Sequence, residues 1–346
     1  MLAVIKEAQA PGLALKEIPA PKPGPGEVLV KINYASICGT DSLIYNWAPW
    51  AAGRMKPPVI VGHEFAGEVV ENGPGTSGMR PGTRVSAESH IFCGRCLQCR
   101  TGRPEICREL KIMGVDRDGV FAQYAAIPER NIWVNHPDIP DQIATLQEPL
   151  GNAVDTLLAE DVAGKRILIT GAGPIGLMCA ALARTCGAAR VIVSDPNEYR
   201  LSLAEGLGAD IVLNPKVAPL KGPVLTATAG DGVDVLLEVS GSKGALRDAL
   251  PLVTPGGRVS LLGIFRGEAQ LSLTETVIFK KLRIYGITGR RIFSTWQTLS
   301  RLLSSRRLDI SKLITHEFAL SDFREGFELM ESGRCGKVLF RINTPS

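Results

Sequence analysis

The sequence predicts an α/β chain of two unlike parts: a β-rich, barrel-like unit over residues 1–150, and a doubly wound parallel sheet of Rossmann type over residues 151–290. Three observations carry this. Up to about residue 150, Gly and Pro punctuate short apolar runs at intervals of about eight to twelve residues. From about residue 160, strand-like runs alternate with helical stretches, which implies right-handed crossovers and an open parallel sheet. Finally, Gly171, Gly173 and Gly176 spell G-x-G-x-x-G directly after one such run and directly before a helix. A length of 346 residues agrees with about two domains at roughly 150 residues each.

In the first part the runs EVLVKI, PVIVGHE, GEVVE, TRVSAE and FAQYAAI read as strands, with loops at Pro57-Pro58 and around Pro81-Gly82. In the second part, strands are expected over 166–170, 190–194, 210–213, 233–239, 258–263 and 282–287. Helices are expected up to about Cys186, from about Asn197, and over 243–252. After about Gly289 the chain turns helical, with SRLLSSRRL and FREGFELM, and closes on KVLFRI. Residues 291–346 are too short for a core of their own, so they are expected to return to the first domain. Glycines at the junctions, near Gly151 and Gly286–Gly289, suit hinge positions.

Composition narrows the partners. Lys plus Arg number 39 against 35 for Asp plus Glu, a formal charge of +4, too mild for a nucleic-acid or anionic-membrane surface. The basic cluster from Lys280 to Arg291 reads as a solvated rim. The longest charge-free run, 167–183, is interrupted by GAGP and fits a strand, a turn and a buried helix better than a membrane span. With no secretory signal visible, a cytoplasmic location is the default expectation.

The glycine motif carries nucleotide chemistry. Gly171 permits a tight turn, Gly173 lets the backbone approach a pyrophosphate, and Gly176 lets helix and strand pack closely. The helix start offers free N–H groups and a partial positive charge. Asp195 closes the next strand, where a carboxylate takes both ribose hydroxyls and repels a 2′-phosphate, so NAD is expected over NADP. Arg200, one helical turn further on, is expected against the adenosine.

Eight cysteines are present, and four of them read C-x2-C-x2-C-x7-C at Cys93, Cys96, Cys99 and Cys107. Four thiolates on one short loop close a tetrahedron around zinc with no open position, a structural site that folds a polar lobe. Cys179 and Cys186 lie in an apolar helical stretch and read as core; Cys335 carries no assignment. A second set is dispersed: Cys38 in SICGTD, His63 and Glu64 in VGHEFAG, Glu148 in QEPLGN. One thiolate, one imidazole and a carboxylate would leave room for water or substrate at a zinc ion, but spacing alone does not bring them together.

At these residues the chain resembles the zinc-dependent medium-chain alcohol dehydrogenases. GHEFAGEVVENGPG follows that family's GHE-x2-G-x5-G signature, with Thr76 where an apolar residue is usual, and the cysteine lobe and GAGPIG fall in the family's order. The resemblance covers essentially the whole chain. Within the family, SICGTD, LIYNW, EPLGNAVDT, SDPNEYR, LLGI, YGITGR and ITH resemble its threonine-oxidising branch. The resemblance implies a GroES-like first domain and a catalytic zinc on Cys38, His63 and Glu64, with Glu148 a fourth ligand or just behind. It implies a structural zinc on the four clustered cysteines, so two zinc ions per chain. It places Ile175, Asp195, Arg200, Leu262, Gly263, Ile264, Ile287 and Thr288 around NAD, and implies a homotetramer. The implied reaction is oxidation of the secondary hydroxyl of L-threonine to L-2-amino-3-oxobutyrate, with Thr40 opening a proton relay. An amino-acid substrate also needs a carboxylate anchor, for which Arg290 is the candidate; His90 is expected to line the pocket.

One position departs from the family. Two residues beyond the aspartate of CGTD the family carries a histidine of the proton relay, and here stands Leu43. The departure leaves two alternatives open: a polyol or other secondary-alcohol dehydrogenase of the 2,3-butanediol or sorbitol type, and an NAD- and zinc-binding protein without turnover.

Overall fold

The computed structural model describes residues 1–343. The glycine-punctuated first part forms an antiparallel sheet around the long strand Glu27–Ser36. That strand is bordered on one side by Glu64–Asn72, and Tyr124–Pro128 also pairs with it. Outward from Glu64–Asn72 lie Arg84–Ala87 and then Ile132–Val134. Alternation of apolar and polar residues along Glu27–Ser36 turns Val28, Val30 and Ile32 into one core with Val69, Val85 and Phe121. Two strands absent from the sequence reading, Leu2–Lys6 and Ala14–Glu17, form a smaller sheet with Val59–Ile60.

The second part is a six-stranded, wholly parallel sheet. Its spatial order is Ile211–Leu213, Arg190–Ser194, Arg166–Thr170, Val233–Glu238, Val253–Leu261, Arg283–Gly286. This is the 3-2-1-4-5-6 order whose reversal between first and fourth strands opens a ligand crevice at their carboxyl ends. The near-continuous Ile, Leu and Val of the inner strands reflect burial on both faces. Helix Pro174–Thr185, fully apolar over its middle and containing buried Cys179, packs against the sheet as expected. Asn197 caps the next helix, Glu198–Gly206, its side chain accepting the Arg200 N–H at 3.2 Å. A helix at Lys221–Ala227 completes the crossover that the sequence reading left blank.

The last strand, Lys337–Arg341, inserts antiparallel beside Glu27–Ser36, Leu339 facing Ser36, and carries Ile314–Ala319 on its outer side. These two strands return to the first domain's sheet, whereas Leu299, Leu303, Leu308, Ile310 and Leu313 pack into the core of the second part. Helix Gln147–Leu157 crosses the expected boundary at residue 150 and packs on both Pro174–Thr185 and Ser294–Ser304. It joins the two parts rather than ending one of them.

Two of the expected hinge glycines have another reason. A Cβ at Gly151 would lie 2.4 Å from Cδ of Arg290, and one at Gly289, whose φ is +59°, would lie 2.5 Å from Cε1 of His90. These glycines let the Arg290 and His90 side chains pass at close quarters.

Candidate active site and cysteine lobe

The four clustered cysteines converge: one thiol sulfur from each lies within 4.8 Å of all the others. Backbone N–H groups point at the sulfurs, from Cys96 to Cys93 at 3.4 Å, and from Cys93 and Glu109 to Cys107 at 3.3 Å each. Such donors favour thiolate: Cys96 is pulled down to about 6 by the N–H groups of Cys99 and Arg108, while desolvation pushes the Cys99 thiol up to about 12. The donor chemistry fits a closed, all-sulfur zinc site. The lobe around it holds only short pieces of structure, helices Leu97–Arg100 and Pro104–Ile106, and little apolar core. We expect Cys96→Ser to lose one zinc per chain and to lower the thermal midpoint by roughly 5 °C or more. Metal analysis and calorimetry on the same preparation check this.

The dispersed set also converges. Cys38, His63 and Glu64 place one ligand atom each within 4.8 Å of one another. Local structure explains how. Cys38 caps helix Gly39–Tyr45, and its N–H is taken by the Asp41 carboxylate at 2.9 Å. His63 precedes strand Glu64–Asn72, whose first residue pairs with Ser36 in register. His63 Nδ1 lies 3.7 Å from Asp41 Oδ1, so a buried carboxylate stands behind the imidazole. Glu64 is fully buried, with Oε2 taken by the Ser36 hydroxyl and the Lys337 ammonium and Oε1 without a hydrogen-bond partner. An orphaned carboxylate oxygen beside a thiol and an imidazole fits a cation.

Glu148 does not join that group. Its Oε1 is held by the Ser89 hydroxyl and the Arg290 guanidinium. The expected role of Arg290 as a carboxylate anchor is corrected here, as is its place on a solvated rim. Arg290 is 1 % exposed, and its Nε and Nη2 fork onto Glu88 at 3.0 and 2.9 Å. Nη1 donates to the Glu148 carbonyl at 3.0 Å and to Asn152 at 3.2 Å, and Nη2 reaches Ser89 at 3.0 Å. No pair of donors is left to fork onto a substrate. Glu88 also accepts from Trp296 Nε1 at 2.9 Å. This buried network was missed because its members lie about 60 to 200 residues apart in the chain. The only local signal was a glutamate two residues before His90. His90 itself is held neutral, its pKa pushed down to about 3 by burial and then by the Arg290 charge.

Thr40 is half-buried in the first turn of the helix that Cys38 caps, and Leu43, one turn on, is half-buried as well. A leucine has no group that can carry a proton.

The glycine turn faces the metal-ligand cluster. A cavity of about 230 Å³ is lined by Cys38 and Glu64 on one side and Gly173, Ile175 and Gly176 on the other, with Lys337 between. A second, of about 540 Å³, runs over Gly171, Asp195 and Ser240, and Arg200 lines both. Asp195 is fixed by N–H groups of Ala172 at 2.7 Å and Asn197 at 2.8 Å, one to each oxygen. Gly171 has φ +101°, and a Cβ at Gly176 would sit 1.8 Å from the Gly171 carbonyl oxygen, so the fold itself demands glycine at both. Gly173 differs: its φ is −67° and a Cβ would meet nothing within 4 Å. Its glycine keeps open a cradle that only something outside the chain would fill. We therefore expect Gly173→Ala to leave the thermal midpoint unchanged while weakening NADH binding by roughly tenfold or more, read by fluorescence titration. Leu262, Gly263, Ile264, Ile287 and Thr288 follow the carboxyl ends of strands Val253–Leu261 and Arg283–Gly286 but line neither cavity; Ile264 and Thr288 are exposed.

Residues 24–139 match the alcohol dehydrogenase GroES-like domain, and residues 174–305 the zinc-binding dehydrogenase domain. The L-threonine 3-dehydrogenase of Pyrococcus furiosus is 53% identical over 343 residues, covering 99% of each chain. The chain belongs to the zinc-binding alcohol dehydrogenase family. Its members include a zinc-binding dehydrogenase of Sinorhizobium meliloti solved bound to NADP, which superposes with a TM-score of 0.89 at 30% identity over 98% of each chain. An alcohol dehydrogenase of Escherichia coli CFT073 solved with NADH gives 0.90, at 30% identity over 99% of each chain. Membership accounts for the two-part architecture and for a chain that binds zinc and a nicotinamide dinucleotide. No helix among the described residues is long and apolar enough to cross a membrane.

Proposed function

We propose that the chain is an NAD-dependent dehydrogenase that oxidises the secondary hydroxyl of L-threonine to L-2-amino-3-oxobutyrate, with one zinc on Cys38, His63 and Glu64 and a second on Cys93, Cys96, Cys99 and Cys107. The observation that carries this reading is the shared cavity: Cys38 and Glu64, two members of a cation-ready trio with His63, line the same 230 Å³ space as a glycine turn with an open cradle. The full-length kinship with threonine dehydrogenases supports the substrate.

A zinc held by Cys38, His63 and Glu64 would supply the Lewis acidity that lowers the pKa of the substrate hydroxyl, and a nicotinamide received at Gly173 would supply the hydride acceptor. The chain supplies orientation. Asp195, held by two backbone N–H groups, keeps lone pairs for the adenosine ribose and disfavours a 2′-phosphate, which supports NAD over NADP. Gly173 and the start of helix Pro174–Thr185 receive the pyrophosphate, and Arg200 borders the adenosine side. Thr40, beside Cys38, would accept a hydrogen bond from the substrate hydroxyl and pass on its own hydroxyl proton. Because Leu43 cannot receive it, the exit is through ribose hydroxyls, water or Glu148. Glu148, pinned by Arg290 and Ser89, stands behind the trio as a charged neighbour. His90 lines neither cavity; its neutral imidazole packs beside Gly289.

We assign a homotetramer acting in the cytoplasm. Strand Arg283–Gly286 ends its sheet with an open edge, and Ile264, Ile278, Phe279 and Ile284 nearby are exposed apolar side chains, a surface suited to a second copy.

A second reading draws on two observations: Leu43 interrupts the relay, and Arg290 is committed to Glu88. Both suit a neutral secondary alcohol or polyol. NADH formation from L-threonine, sorbitol and 2,3-butanediol, with metal content measured on the same preparation, decides between them. Threonine is expected to give the highest kcat/KM; activity confined to the polyols overturns the threonine reading.

A further inference from the structure

Three strands lie side by side at the trio: Glu64–Asn72, Glu27–Ser36 and Lys337–Arg341. Ser36 pairs with Glu64 on one flank and with Leu339 on the other. Lys337, two residues before Leu339 and 2 % exposed, reaches across the middle strand to Glu64, and its ammonium also donates to the Ile37 carbonyl at 2.7 Å. The two oxygens of Glu64 are therefore unequal. Oε2 carries a charge-assisted bond from Lys337 and a hydroxyl bond from Ser36, while Oε1 is buried and bare.

A carboxylate with both oxygens free can close on a cation with two bonds. One whose Oε2 is doubly occupied offers a single oxygen. Three one-atom ligands leave a tetrahedral ion with one position open, which is what a reacting alcohol needs. The ammonium also offsets the carboxylate charge next to the ion, leaving the ion a stronger Lewis acid.

We propose that Lys337, with Ser36, is a positioning residue that restricts Glu64 to single-oxygen ligation and so keeps the substrate position of the catalytic metal open. The proposal rests on Glu64 being a ligand, as read above.

The test replaces the catalytic zinc by cobalt(II), whose visible d–d bands weaken as coordination rises from four to five or six. In Lys337→Met, Glu64 is released to bind with both oxygens. We expect band intensity to fall about twofold, zinc in the cysteine lobe to stay, and kcat to drop about 100-fold. Lys337→Arg, which restores a cation, should recover most of the intensity. Ser36→Ala is close in volume and removes the other donor, so it reads the same spectral change, more weakly, if Lys337→Met does not fold. A cobalt spectrum identical to the parent's in every folded variant of the two overturns the proposal. Glu64→Gln separates this from failure of the underlying reading. If it leaves cobalt binding and spectrum untouched, Glu64 is not a ligand. If it alters them while Lys337→Met and Ser36→Ala do not, only the positioning role falls.

Discussion

Cys38→Ser is expected to abolish turnover, by about 10³-fold or more, while leaving the chain folded. The thiolate is the one soft, charged ligand of the trio, and a neutral serine hydroxyl neither matches zinc's preference nor stays deprotonated at neutral pH. Loss of the ion removes the several kcal/mol by which it stabilises the developing alkoxide, and each 1.36 kcal/mol is a factor of ten in rate. Stability should hold because Cys38 occupies a helix N-cap, a position that favours serine. Asp41 takes its backbone N–H, a bond the substitution leaves alone. The variant should keep the lobe zinc, lose the other, and melt close to the parent. Turnover above about one per cent of the parent's, with the second zinc gone, would refute the metal-centred reading.

Arg290→Met carries the largest expected loss of stability. It removes the only cation from a buried group in which Glu88 is fully inaccessible and Glu148 nearly so. Stripping one partner from such a group costs about 3–5 kcal/mol, since the charges left behind have neither water nor a counter-ion. The sign of the pH dependence follows from Glu88. Burial already holds its carboxyl above the usual range, with Arg290 opposing that rise. Without the guanidinium the folded carboxyl rises further. The folded chain then binds a proton that the unfolded chain has released, and stability falls as pH increases through that window. The deficit of Arg290→Met relative to the parent should be smaller near pH 5 than near pH 8, read from thermal midpoints across a pH series. A deficit that is constant with pH would mean the network is held by packing and not by charge.

Sequence reading recovered what short-range patterns encode. The parallel strands around GAGPIG were legible because both faces of that sheet are buried, which turns Ile167–Ile169 and Val191–Val193 into continuous apolar runs. Strand Arg190–Ser194 was located to the residue, and the helix after it to its cap at Asn197. The four-cysteine lobe was legible because all its ligands sit on one loop. Strands Leu2–Lys6 and Ala14–Glu17 were not, since the first has an exposed leucine and a buried lysine around three buried apolar residues, and the second is a four-residue strand at an edge. The site was half visible. Cys38, His63 and Glu64 stood out by motif, whereas Glu88, Ser36 and Lys337 are ordinary residues whose meaning comes from pairings across 28 to 273 positions. Arg290 was noticed for the right chemistry, a guanidinium forking onto a carboxylate, but the carboxylate is the chain's own.

The closing strand has a consequence for biosynthesis. Lys337–Arg341 is an interior member of the first domain's sheet, yet it is made only after the whole nucleotide-binding unit. The intervening nucleotide-binding unit can collapse on its own during translation, because its strands are neighbours in sequence. The amino-terminal unit must instead wait, with a gap beside Ser36, until residue 341 has been made. The candidate site is therefore completed only after the unit that follows it in the chain, and a nascent fragment stopping short of residue 337 would hold an unfinished one.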